Sequence, residues 1–404
     1  MHIIRPEGAH MSRVDRKVRR RLLGAASAFG VLFAAACSSG GNSTVADGDL
    51  PAEIKVVSVT DQTGTTAYVG NSQLRGIELA IQEINDQEYL GDSKIVLQKR
   101  DSASDTQTAV SQATEALTDK SVSALLGPVL SAHAVAIAPL VERAGLPTIF
   151  TQSGSEGVVI GDYTYRATAP METYFVKALE RLQQQGVETV SVLYNAGNVT
   201  LAGLGEKTIP EGQDKYGYRI LSSTSVQATT QDFGTTATKI AGENPDAVIV
   251  LLVGAGNSTA MSQLRQAGYT GPVVGNPAAG AGNLAPAGAA GAGMYWATDF
   301  SFHQKDETSQ QFVEAYRAKY NGENPLNYAA EGYDATWMLA HAAKNSGGAS
   351  RDDLQRGLEQ VVAEGFDGAL GPVRFEGNDM RVDGVLVEWN GTEEVLLDGQ
   401  ESTE

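Results

Sequence analysis

Short apolar runs alternate along the chain with longer segments in which apolar residues recur at helical spacing. The run IKVVSVT at residues 54–60 has the length and the β-branched content of a buried strand. Apolar positions at helical spacing follow it over residues 74–85, and further strand-like runs lie at residues 95–99, 122–126, 147–150 and 163–168. Strands and helices that alternate in this way are typical of βαβ units built around a parallel sheet.

A second series of the same kind begins with a helical segment at residues 171–185 and the strand-like run TVSVLY at residues 189–194. The remaining predicted elements are helices at 204–216, 233–242, 260–267, 310–320 and 326–344, and strands at 219–226, 247–253, 373–375 and 382–389. The segment at residues 275–293 is rich in glycine, alanine and proline, which favours a loop. The sequence therefore predicts an α/β protein with two similar lobes, between which the chain crosses about three times.

The first 36 residues are typical of an export signal. A basic cluster at residues 13–21 precedes an uncharged stretch at residues 22–36, which is shorter than the roughly 20 residues that a membrane-spanning helix needs. The sequence Ala34-Ala35-Ala36-Cys37 then resembles the lipobox of bacterial lipoproteins, although that pattern usually has leucine where Ala34 stands. The resemblance implies that Cys37 is lipidated and becomes the new N-terminus, and residues 37–51 are predicted to form a flexible tether.

The composition excludes several classes of function. Cys37 is the only cysteine, so the chain forms no internal disulfide and no thiolate metal cluster. The formal net charge is −18, and the first 36 residues carry seven basic and two acidic side chains, which leaves a net charge of about −23 on the rest of the chain. Such a charge disfavours nucleic acid and anionic lipid surfaces as partners.

Motifs for catalysis, metal ions or cofactors are also missing from the sequence. No phosphate loop, HExxH motif or complete GxSxG motif is present, and the histidines are scattered. The nearest approach is GNSTA at residues 256–260, which lacks the final glycine and fits a polar loop that caps the next helix. We therefore predict a protein that is not an enzyme and that uses no metal ion or cofactor.

A series of short motifs, in a fixed order, resembles a known family over about residues 52–392. The motifs are GIELA at 76–80, LGP at 126–128, GLP at 145–147, PDAV at 245–248, GYDA at 332–335 and GPVRF at 371–375. In this order they resemble the type I periplasmic solute-binding proteins of the branched-chain amino acid, amide and urea class. The resemblance implies a Venus-flytrap fold, in which two Rossmann-like lobes are joined by a multi-strand hinge.

The resemblance also gives expected domain boundaries and partners. The first lobe would contain residues 52–168 and 298–371, the second lobe residues 169–297 and 372–396, and a tail would follow at 397–404. The protein would be a monomer, lipid-anchored on the extracytoplasmic face of the cell membrane, and would deliver a small polar ligand to ABC permease subunits. Two alternatives stay open, namely a sensor that signals to a membrane partner and an enzyme that uses the cleft between the lobes.

Three predicted loops follow strands at the edge where open α/β sheets bind ligands. They lie at residues 61–71, 127–133 and 151–155. Ser131 is predicted both to begin a helix and to contact the ligand, and Thr151, Ser153 and Ser155 are predicted to form the opposite wall. Two aromatic residues, Tyr68 and Tyr328, are predicted as further walls of the pocket.

The second lobe departs from the branched-chain amino acid pattern. The resemblance places aromatic residues at Val199 and near Gly256, and a carboxylate that pairs with the ligand's ammonium group near Asn276, and this chain has none of them. A buried ammonium group without a charge partner is costly. Two alternatives follow: an acidic residue replaces the missing carboxylate, or the ligand is an amide or related molecule and not an α-amino acid. The candidate acidic residues are Glu331, Asp299 and Glu156.

Overall fold

The computed structural model describes residues 50–155, 157–280 and 282–397. The predicted export signal, Cys37, most of the tether, Glu156 and the end of the tail lie outside the described residues. The strands are β1 Glu53–Thr60, β2 Lys94–Asp101, β3 Val122–Leu126, β4 Thr148–Phe150, β5 Thr164–Arg166, β6 Thr189–Asn195, β7 Arg219–Val226, β8 Ala247–Leu251, β9 Val273–Val274, β10 Met294–Thr298, β11 Phe366–Gly368, β12 Gly371–Glu376, β13 Asp379–Arg381, β14 Val385–Trp389 and β15 Glu394–Leu396.

The helices are α1 Ala67–Asp86, α2 Thr106–Thr118, α3 Ser131–Ala144, α4 Met171–Gln184, α5 Val199–Gly203, α6 Ile209–Glu211, α7 Gln213–Tyr216, α8 Gly234–Glu243, α9 Gly256–Gln266, α10 Glu307–Lys319, α11 Asn327–Ser346 and α12 Arg351–Glu364. A π-helical turn joins α5 to α6 at Leu204–Thr208, and two 3-10 helices lie at Pro277–Ala279 and Ala285–Gly291. Within the described ranges, no helix is both long enough and apolar enough to cross a membrane.

The strands form two sheets, and in each sheet the central strands are parallel to one another. The first sheet has the order β11-β12-β13-β5-β4-β3-β1-β2, and the second has the order β15-β14-β10-β9-β8-β6-β7. Strands β1 to β5 pair in parallel in the first sheet, and β6 to β10 pair in parallel in the second, while β14 and β15 add antiparallel edges. The chain thus passes between the sheets after β5, after β10 and after β13.

The division of the strands between the two sheets differs from the predicted lobe boundaries at β12 and β13. Strands β12 and β13 hydrogen-bond in the first sheet, where β13 pairs with β5, whereas residues 372–396 had been predicted to lie wholly in the second lobe. The hairpin formed by β12 and β13 explains the difference, because its antiparallel bonds hold residues 371–381 together at the edge of the first sheet. Only β14 and β15 return to the second sheet.

Helices α1 and α11 pack closely against each other beside the first sheet. Their contact depends on glycine, because a Cβ atom placed on Gly76 would overlap the carbonyl oxygen of Ala329, and one on Gly332 would collide with Gln73. Val56 in β1 and Ile77 in α1 are completely buried in the core between these elements. The small residues therefore set the distance between the two helices.

Replacing Gly76 with alanine is expected to destabilise the fold by about 1–3 kcal/mol, because the methyl group overpacks a backbone contact that cannot move without shifting a helix. The matched control is Gly242→Ala in α8, where the added Cβ meets nothing within 4 Å and should stabilise the helix slightly. Chemical denaturation measures both effects. Equal unfolding free energies for the two variants would contradict the close packing of α1 and α11.

Helices α1 and α12 are two of the places where the structure has a helix and the sequence analysis predicted none. Helix α1 begins at Ala67, inside the segment predicted as a loop at residues 61–71. The Asn71 amide donates to the carbonyl oxygens of Ala67 and Gln62 and so fixes this first turn. Helix α12 was not predicted, although Ser350 and Asp353 form a capping box at its start.

Candidate functional site

A cavity of about 130 Å³ lies between the two sheets, at the carboxyl ends of their parallel strands. Its wall on the first sheet comes from the segments after β1, β3 and β4, and its wall on the second sheet from the segments after β6, β8 and β9. The lining residues are Thr66, Tyr68, Val69, Val129, Leu130, Ser131, Ala132, Gln152, Met171, Gly197, Asn198, Val199, Thr200, Leu201, Val253, Asn276, Pro277, Ala278 and Tyr328. Open α/β sheets bind ligands at this edge.

Three hydroxyl groups meet between the two sheets at the edge of the cavity, which two of them, Ser131 and Thr200, line. The Thr200 hydroxyl, from the second-sheet side, lies 2.8 Å from the Ser155 hydroxyl and 3.3 Å from the Ser131 hydroxyl, both from the first-sheet side. The backbone N–H of Ser155 donates to the Ser131 hydroxyl at 3.2 Å. We call Ser131, Ser155 and Thr200 the hydroxyl cluster. Each hydroxyl can rotate to donate to a ligand oxygen, so the cluster can bind a carboxylate or a carbonyl group from both sides.

Thr200 was not predicted as a site residue. It lies in the first turn of α5, which begins directly after Asn198, whose side chain accepts a hydrogen bond from the N–H of Leu201 and so caps the helix. The sequence contained a signal for this position, because Asn198 follows the predicted strand TVSVLY and asparagine is a preferred N-cap. This signal makes the segment after the strand TVSVLY a candidate ligand-binding segment, like the three first-lobe loops.

A buried arginine holds the 151–155 loop in place from behind. Arg166 is only 1% exposed, and its guanidinium group donates to the carbonyl oxygens of Ser153 and Ser155 at 3.0 and 2.6 Å. Its Nε atom donates to Asp379 in β13 at 2.8 Å. Arg166 thus connects the edge hairpin of the first sheet to the loop that carries the Ser155 hydroxyl.

The predicted residues of the 151–155 loop do not all reach the cavity. Of this loop only Gln152 lines the cavity. Ser155 lies beside it, bonded to the lining residues Ser131 and Thr200, and lines an adjoining cavity together with Thr200, whereas Ser153 and Thr151 are completely buried. The Ser153 hydroxyl lies within hydrogen-bond distance of the carbonyl oxygens of Pro128 and Val129, at 3.1 and 3.3 Å. In this structure Ser153 therefore joins two cavity loops to each other.

The two predicted aromatic walls lie side by side at the cavity. Tyr68 and Tyr328 both line it, with ring centroids 6.0 Å apart in an edge-to-face arrangement. Burial raises the pKa of both phenols above the usual value. Both therefore remain neutral at physiological pH and present apolar surface with a hydroxyl group.

The acidic residues Glu331 and Asp299 lie behind the cavity wall and do not line it. Both are completely buried, and the side chains of Asn327 and Thr168 bridge them with hydrogen bonds of 3.2 to 3.3 Å. The Gln152 amide nitrogen, oriented to donate, lies 2.5 and 2.6 Å from the Glu331 carboxylate oxygens. Burial, and then the neighbouring Asp299 carboxylate, raise the pKa of Glu331 well above its ordinary value.

The raised pKa of Glu331 predicts a stability that falls with rising pH. The folded protein keeps the Glu331 proton above pH 4.5, where the unfolded chain releases it, so the free energy of unfolding decreases as the pH rises. Replacing Glu331 with glutamine removes this titration. Between pH 5 and pH 8, the free energy of unfolding should decrease less in the variant than in the unchanged protein. We expect the two decreases to differ by at least about 1 kcal/mol.

Chemical denaturation at four pH values in this range measures the difference. Asp334 and Glu394, whose pKa values burial raises to about 7, contribute slopes of the same sign, but they are present in both proteins and cancel in the comparison. The exposed substitution Glu180→Gln is the charge-matched control. Parallel stability curves for Glu331→Gln and the unchanged protein would refute the buried carboxyl pair.

On the second-sheet side, Val199, Gly256 and Asn276 lie where the resemblance places aromatic residues and a carboxylate, and none of the three is charged. Val199 lines the cavity and is 56% exposed, and Gly256 begins α9. The Asn276 amide donates to the carbonyl oxygen of Leu252 at 3.0 Å, and its oxygen accepts the N–H of Ala278 at 3.0 Å. Within the part of the chain that the structure describes, no group of three or more His, Cys, Asp or Glu side chains could hold a metal ion.

Comparison with known proteins gives a consistent family and fold. A model of the periplasmic binding protein family matches residues 53–392. The chain is 27% identical over 348 residues to Leu/Ile/Val-binding protein homolog 7 of Brucella abortus (strain 2308), a match that covers 79% of this chain and 84% of the relative.

Two solved structures are similar over most of their length. The leucine-binding protein LivK of Thermotoga maritima has a TM-score of 0.76 and 24% identity, over 85% of this chain and 97% of that chain. An ABC transporter solute-binding protein of R. palustris in complex with benzoate has a TM-score of 0.75 and 22% identity, over 85% and 95%. These similarities confirm the predicted α/β fold with two lobes.

Proposed function

The chain belongs to the type I periplasmic binding proteins, and on that premise we propose that it is an extracytoplasmic solute-binding lipoprotein that delivers a small polar ligand to an ABC importer. Members of this family bind solutes and are not enzymes. The observation that carries the proposal is the hydroxyl cluster, in which Thr200 meets Ser131 and Ser155 across the cleft. A ligand bound there would contact both lobes, so its binding would favour the closed arrangement.

The lipid anchor and the permease belong to the same proposal. An export signal followed by Cys37 supports lipidation, and the acidic chain beyond it supports a protein that stays soluble beside the membrane. The permease would recognise the closed form and accept the ligand when the lobes open. Replacing Cys37 with serine should move the protein from the membrane fraction to the soluble fraction of its host. A variant that remains in the membrane fraction would contradict the anchor.

Ligand binding is tested by a thermal-shift screen of the purified protein against amino acids, amides, urea and small carboxylates. A ligand at 100 times its Kd adds about 2.7 kcal/mol to the free energy of unfolding, which should raise the Tm by several degrees. Small-angle scattering should show a smaller radius of gyration with the same ligand. Unchanged melting and scattering across the whole panel would refute a solute-binding function.

A further inference from the structure

The lining of the cavity restricts the chemistry of the ligand. We infer that the ligand is a small organic carboxylate without an amino group, bound by its carboxylate at the hydroxyl cluster and by its apolar part against the aliphatic wall. This inference rests on the proposed solute-binding function and adds the ligand class. It rests on three features of the cavity, which are the lack of charged side chains among its described lining residues, the helices that begin at it and the division of its surface into a polar part and a mainly apolar part.

No charged side chain lines the cavity among the residues that the structure describes. An ammonium group enclosed there would therefore lose its water without gaining a carboxylate partner, which is unfavourable. Asn276 does not replace the carboxylate, because its amide carries no charge and already bonds to the backbone at both ends. Glu331 and Asp299 lie behind the wall and are hydrogen-bonded to Gln152, Asn327 and Thr168.

Three helix N-termini without a capping side chain lie at the cavity and can donate to a negatively charged group. The long helices α1, α3 and α11 all begin at the cavity, where Tyr68, Ser131 and Tyr328 lie in their first turns. None of the three has a side-chain cap at its N-terminus or an acidic residue in its first turn. The N–H groups of these first turns are therefore not bonded by a capping side chain. The buried carboxylates of Asp61 and Asp299, which bond Thr66 before α1 and Asn327 at the start of α11, offset part of the positive charge of those two helix ends. The Arg166 guanidinium lies behind the loop that carries Ser155, but its charge is paired with Asp379.

Most of the remaining lining is apolar, apart from Thr66, Gln152, Asn198 and Asn276. The aliphatic wall consists of Val69, Val129, Leu130, Met171, Leu201 and Val253, and the rings of Tyr68 and Tyr328 extend it. The hydroxyl cluster thus lies at one edge of a small cavity whose remaining surface is mainly apolar. A compact carboxylate with a branched aliphatic or aromatic body matches both parts.

Matched sets of ligands test the inference on the purified, unmodified protein. Leucine, 4-methylpentanoate and 4-methylpentanamide differ only in the amine and in the charge of the head group, as do phenylalanine, 3-phenylpropanoate and 3-phenylpropanamide. Isothermal titration calorimetry at pH 7.4 gives the affinities; that pH keeps the carboxylates ionised. We expect at least one carboxylate to bind at least about 100-fold more tightly than its amino acid, and more tightly than its amide.

The possible outcomes separate the ligand class from the function. Tighter binding of leucine or phenylalanine would overturn the inference but leave solute binding intact. Loss of that preference in Glu156→Gln would identify Glu156, which lies outside the described residues, as the ammonium partner. Tighter binding of the amides would also overturn the inference. If both sets fail while another solute in the thermal-shift panel binds, the ligand class is wrong and the function stands; if nothing binds, the proposed function itself fails.

Discussion

Replacing Thr200 with valine is expected to weaken binding of the best ligand from the thermal-shift screen by about 10- to 100-fold. Valine has nearly the same shape as threonine but lacks the hydroxyl group that meets Ser131 and Ser155 across the cleft. A hydrogen bond to a charged ligand group contributes about 1.5–3 kcal/mol, and each 1.4 kcal/mol changes the affinity tenfold. Isothermal titration calorimetry measures the loss directly.

The effect should be specific to the cleft. Thr235→Val on the exposed face of α8 is a matched control in the same part of the chain, and it should leave the affinity unchanged. Small-angle scattering should also show less compaction with ligand for Thr200→Val, because the cluster would lose its only hydroxyl group from the second-sheet side. Affinity within about twofold of the unchanged protein would show that Thr200 does not contact the ligand.

Sequence patterns were sufficient to predict the elements that are buried on both faces. The run IKVVSVT predicts β1 to within one residue at its start, because a strand covered by helices on both sides is apolar almost throughout. The start of α1 was misplaced because residues 67–71 have no helical pattern of apolar residues, and their helix depends on contacts such as those of Asn71. Local bonds of this kind are not visible as periodicity.

The candidate site shows more clearly that contacts between distant residues cannot be predicted from sequence patterns. Ser131 and Ser155 could be predicted, because each follows a strand at the ligand-binding edge of the first sheet. Ser153 differs from Ser155 by two positions, yet it is turned toward the carbonyl oxygens of Pro128 and Val129 and does not reach the cavity. The direction of a side chain in an irregular loop depends on tertiary contacts, and in this loop the main contact is Arg166, which lies outside the loop in sequence.

Glu331 illustrates how a candidate residue can lie close to a cavity in sequence and yet not line it. The sequence analysis considered it, with Asp299 and Glu156, as a replacement for the missing carboxylate partner of a ligand ammonium group, and it lies one helical turn from Tyr328. In the structure the two residues lie on different sides of the cavity wall, with Tyr328 at the cavity and Glu331 behind Gln152. Spacing along a helix gives the face on which a residue lies, but it does not show what the neighbouring loop places in front of it.

Replacing Arg166 with methionine is expected to destabilise the protein by about 3–5 kcal/mol and to lower its Tm by roughly 5–10 °C. Methionine fills similar space but leaves the buried carbonyl oxygens of Ser153 and Ser155 without a donor, and leaves Asp379 without its cation. Breaking a buried pair by removing one partner costs more than the pair itself contributes. Ligand affinity should fall as well, because the loop that carries Ser155 is no longer held.

Thermal unfolding and calorimetric titration measure the two effects separately. Arg219→Met in β7 removes the same charge from an exposed position and should change the Tm by about 1 °C or less. The double variant Arg166→Met/Asp379→Leu should recover part of the stability, because it no longer leaves a carboxylate without its partner. It should not recover ligand affinity, since the loop carbonyls still lack their donor. If Arg166→Met were as stable as Arg219→Met, the guanidinium group would not be holding this loop.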